Sequence, residues 1–175
     1  MIKILSFMMS VLLFVGCSTL DVNVDYDESY DFKGVNSFAI DNSIGNSKNT
    51  LFGSRVVNAL ENELKVKDYI KSSKEDADLI FVFHASAKEK SDVQTTIGLS
   101  GYRGFRYGGM MMSTTHTYEY KEGTLVIDAL NPKTKKVVWR GIGVKELREK
   151  ETPQERTEAV NAAVKKIMEK FPVKQ

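Results

Sequence analysis

The side chains that could take part in chemistry are few in this sequence and lie far apart. The 175 residues include two histidines, His84 and His116, and one cysteine, Cys17. A histidine that acts as a base or a metal ligand needs partners at a suitable spacing, and neither histidine stands in a recognisable motif of that kind. We therefore expect both to be half-buried strand residues, and we predict no catalytic residue, no metal site and no cofactor.

Three carboxylates near the start of the chain suggest a calcium site, because hard cations need several oxygen ligands. Asp21, Asp25 and Asp27 alternate with apolar residues from Leu20 onward. An EF-hand loop needs a glycine at its sixth position and a glutamate at its twelfth, and this stretch has neither at that spacing. The alternation instead predicts a half-buried strand with a solvated acidic face.

The overall charge and the missing catalytic motifs exclude several classes of function. With 25 basic and 23 acidic residues the formal net charge is +2, which creates no field that would steer nucleic acid toward the protein. The sequence also has no G-x-S-x-G nucleophile elbow, no H-E-x-x-H zinc motif and no phosphate-binding loop. We predict that the protein is not an enzyme and has no nucleic-acid partner.

Residues 1–16 have the layout of a secretory signal peptide. Lys3 provides a positive start, an apolar run extends from Ile4 to Val15, and the small residue Gly16 follows. The run is too short to cross a bilayer, which needs roughly 20 apolar residues. We expect residues 1–16 to be removed.

The cysteine after this run has the most specific chemical prediction. Phe14, Val15, Gly16 and Cys17 resemble the bacterial lipobox, although Phe14 stands where leucine is usual. Acyl chains on Cys17 would contribute about 0.8 kcal/mol per buried CH₂ group, so the membrane anchor would be effectively permanent. Ser18, in place of the aspartate that resembles an inner-membrane retention signal, favours transfer to the outer membrane. The alternative is an ordinary signal peptide followed by a fortuitous cysteine.

The stretch Tyr118–Gly143 is the clearest structural element. Two runs rich in β-branched and aromatic residues flank residues 131–134, an Asn-Pro-Lys-Thr sequence that suits a turn. This predicts a β-hairpin. Within it we expect Trp139 in the core, and Asp128 and Arg140 could pair across the two strands.

Other elements are predicted around the hairpin. Ala77–Ala87 is apolar on both faces, which predicts a central strand buried on both sides. Apolar residues recur at helical spacing over Leu51–Lys65. A second helix should begin after Thr152, where Pro153 and Glu155 complete a capping box.

Length and composition predict one domain. Hydrophobic residues make up 42% of the chain and charged residues 27%, as in ordinary soluble domains. We predict that residues 17–19 form the lipidated anchor and that residues 20–175 form a single α+β domain, a largely antiparallel twisted sheet with two helices packed on it.

The stretch Gly98–Ser113 has the most unusual composition, with many glycine, aromatic, arginine and methionine residues. We predict a loop here, and loops of this length are uncommon unless they are functional or disordered. One interpretation is a mobile connector without a fixed role. The other is a contact surface for an envelope protein or for anionic lipid head groups. The contact surface would consist of Tyr102, Arg103, Phe105, Arg106, Tyr107, Met110, Met111 and Met112.

Taken together, these segments resemble a bacterial lipoprotein family known as domain of unknown function 4136. The resemblance covers most of residues 17–172 and is most specific over Glu122–Gly141, while Val24–Phe38 and Ala77–Phe83 match more loosely. The resemblance implies an exported α+β domain on a lipid anchor. It carries over no catalytic residue, because none is established for the family.

Two functions fit these observations. The favoured one is a lipid-anchored cell-envelope protein that faces the periplasm and acts as a non-catalytic binding or structural module, with the membrane as partner through Cys17 and an envelope protein as a further partner. The alternative is a binder of a small or lipidic ligand between the sheet and the helices, which an apolar cavity of roughly 300 Å³ or more would favour. A hydrolase fits least well, and the oligomeric state is left open.

Overall fold

The computed structural model of the chain describes residues 20–42, 50–99, 111–148 and 150–172. Over these residues the elements are β1 Asp21–Tyr26, β2 Ser37–Ile40, α1 Leu51–Val66, β3 Ile70–Lys71, β4 Leu79–Leu99, β5 Met111–Leu130, β6 Val137–Leu147 and α2 Pro153–Met168. The strands form one sheet of six in the order β1-β6-β5-β4-β2-β3. The predicted α+β class is confirmed, and no helix in these ranges is long and apolar enough to span a bilayer.

The sheet is mixed rather than uniformly antiparallel. Neighbouring strands are antiparallel from β1 through β6 and β5 to β4, but β2 lies parallel to both β4 and β3. The physical reason is α1, which connects β2 to β3 as a crossover, and a crossover returns the chain in the same direction. The first contact of β3 with β2 is the hydrogen bond that Ile70 N donates to Asn36 O at 2.9 Å.

Both helices pack on one face of the sheet and run side by side in the same direction. Near the start of the pair, Arg55 Nε donates to Thr157 Oγ1 at 3.0 Å, and near the end Lys67 Nζ donates to Phe171 O at 3.2 Å. The core lies between these helices and the sheet. Trp139 is only 1% exposed within it, which confirms the prediction for that residue.

The opposite side of the sheet, which we call the open face, corrects the prediction for Ala77–Ala87. Val82 is buried on this face, but Ile80 is only half-buried and His84 is exposed. No described helix covers them, so the strand is not buried on both sides. His84 is therefore not half-buried as expected, and His116 on β5 is exposed as well.

The helix starts and the hairpin turn follow local sequence signals. Thr152 Oγ1 accepts a hydrogen bond from Glu155 N at 3.2 Å, and Glu155 Oε2 accepts one from Thr152 N at 2.7 Å, which confirms the capping box. This bonding from Thr152 lowers the pKa of Glu155. In the predicted turn, Asn131 Oδ1 accepts from Lys133 N at 2.9 Å, and Lys135 has a left-handed backbone with φ 60°.

Candidate functional site

The most distinctive feature of the structure is a two-stranded extension of β4 and β5. These strands pair without a break from Ile80–Leu130 to Leu99–Met111, whereas β6 ends opposite Lys121 and β2 ends opposite Phe81. We call Lys90–Leu99 and Met111–Tyr120 the arm. At about 3.3 Å per residue, the arm extends roughly 30 Å beyond the rest of the sheet.

The arm corrects the bounds of the predicted loop at Gly98–Ser113, of which residues 100–110 lie outside the described residues. Gly98 and Leu99 belong to β4 and residues 111–113 belong to β5, because the β-branched residues on either side favour strand and the two segments pair with each other. Alternating β-forming residues over 91–99 and 113–120 were the sequence signal for this extension, and the glycines of the loop obscured it.

Two of the predicted contact residues, Met111 and Met112, lie at the end of the arm. Met111 and Met112 stand opposite Leu99 and Gly98 at the last rungs of the ladder. The remaining members of the predicted surface fall outside the described residues, as does Cys17. They are Tyr102, Arg103, Phe105, Arg106, Tyr107 and Met110.

A shallow depression of about 380 Å³ lies where the arm leaves the sheet. Charges of opposite sign are paired around it: Lys90 Nζ lies 2.7 Å from Glu122 Oε1, and Lys121 Nζ lies 3.8 Å from Glu89 Oε1. The hydrogen bond to Glu122 raises the pKa of Lys90. The depression is lined by Glu89, Lys90, Ser91, Glu119, Tyr120 and Lys121. This lining is polar and surface-exposed, so the depression is not the apolar cavity that a lipidic ligand would need.

The region between sheet and helices is filled by large side chains. Trp139, Phe38, Phe81, Phe171 and Ile167 are each less than 2% exposed and belong to one core cluster. This packing disfavours the alternative of a ligand held between the sheet and the helices.

An ion pair with a buried carboxylate occupies the centre of the open face. Arg140 Nε and Nη2 donate to the two carboxylate oxygens of Asp128 at 2.6 and 2.7 Å, and the two residues stand directly opposite each other on β6 and β5. Asp128 is 4% exposed, whereas the Arg140 side chain is 46% exposed. The hydrogen bond and the charge of Asp128, with a smaller contribution from Asp25, raise the pKa of Arg140. Since both oxygens of Asp128 are engaged by Arg140, the pair is a structural element and confirms the predicted cross-strand contact.

The two halves of this pair should not be equally important for stability. Replacing Arg140 with alanine leaves a buried carboxylate without its partner, so we expect the free energy of unfolding to fall by about 2–3 kcal/mol. Replacing Asp128 with alanine leaves a guanidinium that already reaches water, and we expect a loss of only about 1 kcal/mol. Urea unfolding of both variants measures the difference, and a larger loss for the Asp128 variant would contradict this account.

The three acidic residues near the start of the chain do not converge. Asp21, Asp25 and Asp27 are all exposed, while Val22 and Val24 between them are half-buried, as a solvated strand face requires. Among the residues described, no three His, Cys, Asp or Glu side chains come together in a way that would hold a metal ion.

A family model matches residues 22–173, which include every element of the fold apart from the first residue of β1, and its description is domain of unknown function (DUF4136). The chain belongs to this family. The predicted resemblance is therefore confirmed at the level of the family. No curated protein sequence matches the chain significantly.

Solved structures share the fold of this DUF4136 domain at low sequence identity. A PelC dodecamer from Paraburkholderia phytofirmans is 11% identical with a TM-score of 0.53, and the match covers 90% of this chain and 100% of that one. A PDZ domain protein from Parabacteroides distasonis is 15% identical with a TM-score of 0.58, and the match covers 90% of this chain and 37% of that one. At these identities the likeness of the DUF4136 domain to both proteins is one of fold alone.

Proposed function

We propose that this protein is a lipid-anchored component of the bacterial cell envelope, held at the outer membrane and facing the periplasm, where it acts as a non-catalytic binding or structural module. The observation that carries the proposal is the position of Cys17. It is the only cysteine of the chain, and it directly follows a run with the layout of a signal peptide.

The geometry at the start of the domain supports a short tether. Lys166 Nζ donates to Leu20 O at 2.7 Å, which fixes the first described residue against the last turn of α2. Since a residue spans at most about 3.5 Å, the chain from Cys17 to Leu20 can reach only about 10 Å. An acylated Cys17 would therefore keep the folded domain close to the membrane surface.

The arm and the tether leave the sheet at the same end. β1 begins beside Val144, near the end of β6, and the arm continues from the same end, beyond the pairing of Lys121 with Leu147. Met111 and Met112, the described members of the predicted contact surface, lie at the far end of this arm, on the side of the sheet where β1 begins. This placement supports a role in contact with other envelope components rather than in catalysis.

Replacement of Cys17 tests the anchor. In cells that export the protein, the wild-type chain should sediment with the outer membrane and be released by detergent but not by high salt, because acyl chains hold it by apolar burial. The Cys17→Ala variant should appear in the soluble periplasmic fraction and should not incorporate labelled palmitate. Cell fractionation and metabolic labelling provide the two measurements.

Ser18→Ala is the matched control, since it changes the neighbouring residue and keeps the thiol. It should fractionate like the wild type. If the wild type itself is soluble and unlabelled, Cys17 is a fortuitous cysteine and the anchor is excluded. For the binding role, a photo-cross-linker at Tyr102 should capture an envelope protein from cells more efficiently than one placed at the exposed residue Glu75 on the body of the domain.

A further inference from the structure

Within the described residues, no strand lies against the outer edge of β4 along the arm. β2 pairs only with Leu79–Phe81, and the part of the chain that the structure describes places no strand against Ala87–Leu99 apart from β5. The side chains from Ser86 to Thr95 are all exposed. A two-stranded ribbon is marginally stable by itself, and a bare strand edge is a template for pairing with another chain.

The edge lacks two of the features that keep strand edges apart, namely proline and β-bulges. Natural proteins protect such edges with proline, bulges, short strands or repeated charges. Here β4 pairs with β5 through the arm without a register shift, and the charged residues around Ser91 are Lys88, Glu89, Lys90 and Asp92, which carry both signs rather than one repeated charge. No proline occurs in this stretch, and Thr95, Thr96 and Ile97 have high strand propensity. A strand edge of this length and composition is suited to pairing with another strand.

We propose that the occupant is a second copy of this chain, and that two β4 strands pair antiparallel about a two-fold axis at Ser91. This axis is perpendicular to the joined sheet, so each side chain stays on the same face of the sheet in both copies. Ser91 stands opposite Ser91 of the partner strand, and every other residue stands opposite the residue that is equally far from Ser91 in the other direction. Lys90, which contacts Glu122 of its own chain, then also faces Asp92 of the other copy, and Lys88 faces Gln94. Because of the symmetry this contact occurs twice, once between Lys90 and the second copy's aspartate and once between Asp92 and the second copy's lysine. Each opposite-charge pair stabilises the pairing of the strands.

Charge selects this register over its neighbours. An axis at Lys90 places two lysines opposite each other, an axis at Asp92 places two aspartates opposite each other, and an axis at Glu89 does the same with two glutamates. Like charges directly opposite each other destabilise a pair of strands. The β5 side of the arm offers no comparable arrangement, because Glu119 is its one residue with a formal charge at neutral pH between Met111 and Tyr120.

Cysteine cross-linking tests the register. In the full chain, Ser91→Cys should yield a disulfide-linked dimer under mild oxidation, because opposite residues in an antiparallel pair have Cα atoms about 4.5–5.5 Å apart, within the range of a disulfide. Gln94→Cys is the matched control on the same exposed edge. In this register its two copies lie about 20 Å apart and should not cross-link.

The experiment is carried out with Cys17 intact and in the Cys17→Ala background, which separates self-association from anchoring. A Ser91-dependent dimer in either background supports the pairing, whatever the membrane fractionation shows. No dimer in both backgrounds, or cross-linking of Gln94→Cys but not of Ser91→Cys, overturns it.

A charge change gives a second, independent readout. Asp92→Lys places lysine opposite lysine twice, so the dissociation constant of the dimer should rise by about tenfold or more, while Asp92→Asn should give a smaller rise. Sedimentation equilibrium of the detergent-solubilised full chain measures both. A wild-type chain that is monomeric at every concentration, or that dimerises equally well with Asp92→Lys, contradicts the proposal.

Discussion

Replacing Phe171 with alanine is expected to lower the free energy of unfolding by about 3–5 kcal/mol. Phe171 is 1% exposed, and its ring meets four others edge to face. The ring centroids lie 5.0 Å from Trp139, 5.3 Å from Phe81, 5.8 Å from Tyr69 and 6.1 Å from Phe32. These neighbours come from β6, β4 and two loops, so removal of one ring opens a cavity at the point where distant parts of the chain meet.

The predicted loss of stability should result only from removal of the Phe171 ring. The backbone oxygen of Phe171 accepts from Lys67 Nζ at 3.2 Å, and that of Pro172 accepts from Tyr69 Oη at 3.3 Å. In both hydrogen bonds the acceptor is a main-chain oxygen, so both can persist when the side chain of Phe171 is removed. Chemical denaturation monitored by Trp139 fluorescence measures the loss of stability.

Two further substitutions make this result decisive. Phe171→Leu keeps most of the apolar volume and should cost clearly less, which also provides a measurable variant if the alanine protein does not fold. Val66→Ala removes an apolar side chain at the end of α1 that is 79% exposed, and should change stability by less than about 0.5 kcal/mol. Equal effects of Phe171→Ala and Val66→Ala would contradict the central role of the ring.

Local sequence patterns were sufficient for the elements that depend on nearby residues. The second helix begins at Pro153 because Thr152 and Glu155 satisfy its first backbone N–H groups, and its buried stripe of Val160, Val164, Ile167 and Met168 recurs at helical spacing. Continued past the end of the helix to position 171, that spacing predicts that Phe171 faces the sheet. It does not show which rings Phe171 meets, because they come from segments far away in the sequence.

The parallel position of β2 illustrates a contact without a local signal. Asp78 Oδ2 accepts from Asn36 N at 3.0 Å, from Ser37 N at 2.9 Å and from Ser37 Oγ at 2.8 Å, across more than 40 residues of sequence. The hydrogen bond from Asn36 is the largest cause of the lowered pKa of Asp78, with those from Ser37 adding to it. These bonds join the start of β2 to the start of β4. Nothing in the spacing of these residues distinguishes Asp78 from other exposed aspartates, so the mixed sheet was not predicted.

The unusual composition of the candidate site is visible in the sequence, but the two-stranded arm that the structure shows there is not. Glycines at 98, 101 and 104 favoured a loop, and the pairing of residues 90–99 with 111–120 depends on a partner strand that periodicity alone cannot identify. The composition therefore predicts a contact surface within residues 102–112 and gives no sign of the uncovered strand edge around Ser91. The charges of both signs at Lys88, Glu89, Lys90 and Asp92 are visible in the sequence, but they suggest a pairing only once the strand edge is known to have no neighbour among the described residues.

The second large effect is expected at Gly141, where β6 passes under α2. A Cβ atom there would clash with Ile167 Cγ2 and with the Trp139 ring, and one at Gly143 would lie 2.7 Å from Ile167 Cδ1. Trp139 and Ile167 are 1% and 0% exposed, so neither can move aside without disturbing the core. We expect Gly141→Ala to cost about 1–3 kcal/mol and Gly141→Val about 3 kcal/mol or more, measured by thermal and urea unfolding.

Gly123 offers a matched control for this clash. A Cβ at Gly123 would also lie 2.7 Å from a side-chain carbon, Leu147 Cδ2, but Leu147 is 41% exposed and can rotate into solvent. Gly123→Ala should therefore cost less than about 1 kcal/mol although the initial distance is the same as at Gly143. If Ile167 is the obstacle at Gly141, the combination of Gly141→Ala with Ile167→Val should cost less than the sum of the two single changes. Strict additivity of the two changes, or equal losses of stability at Gly123 and Gly141, would contradict this account. Either result would mean that the close approach of α2 to β6 does not limit the size of the side chain at position 141.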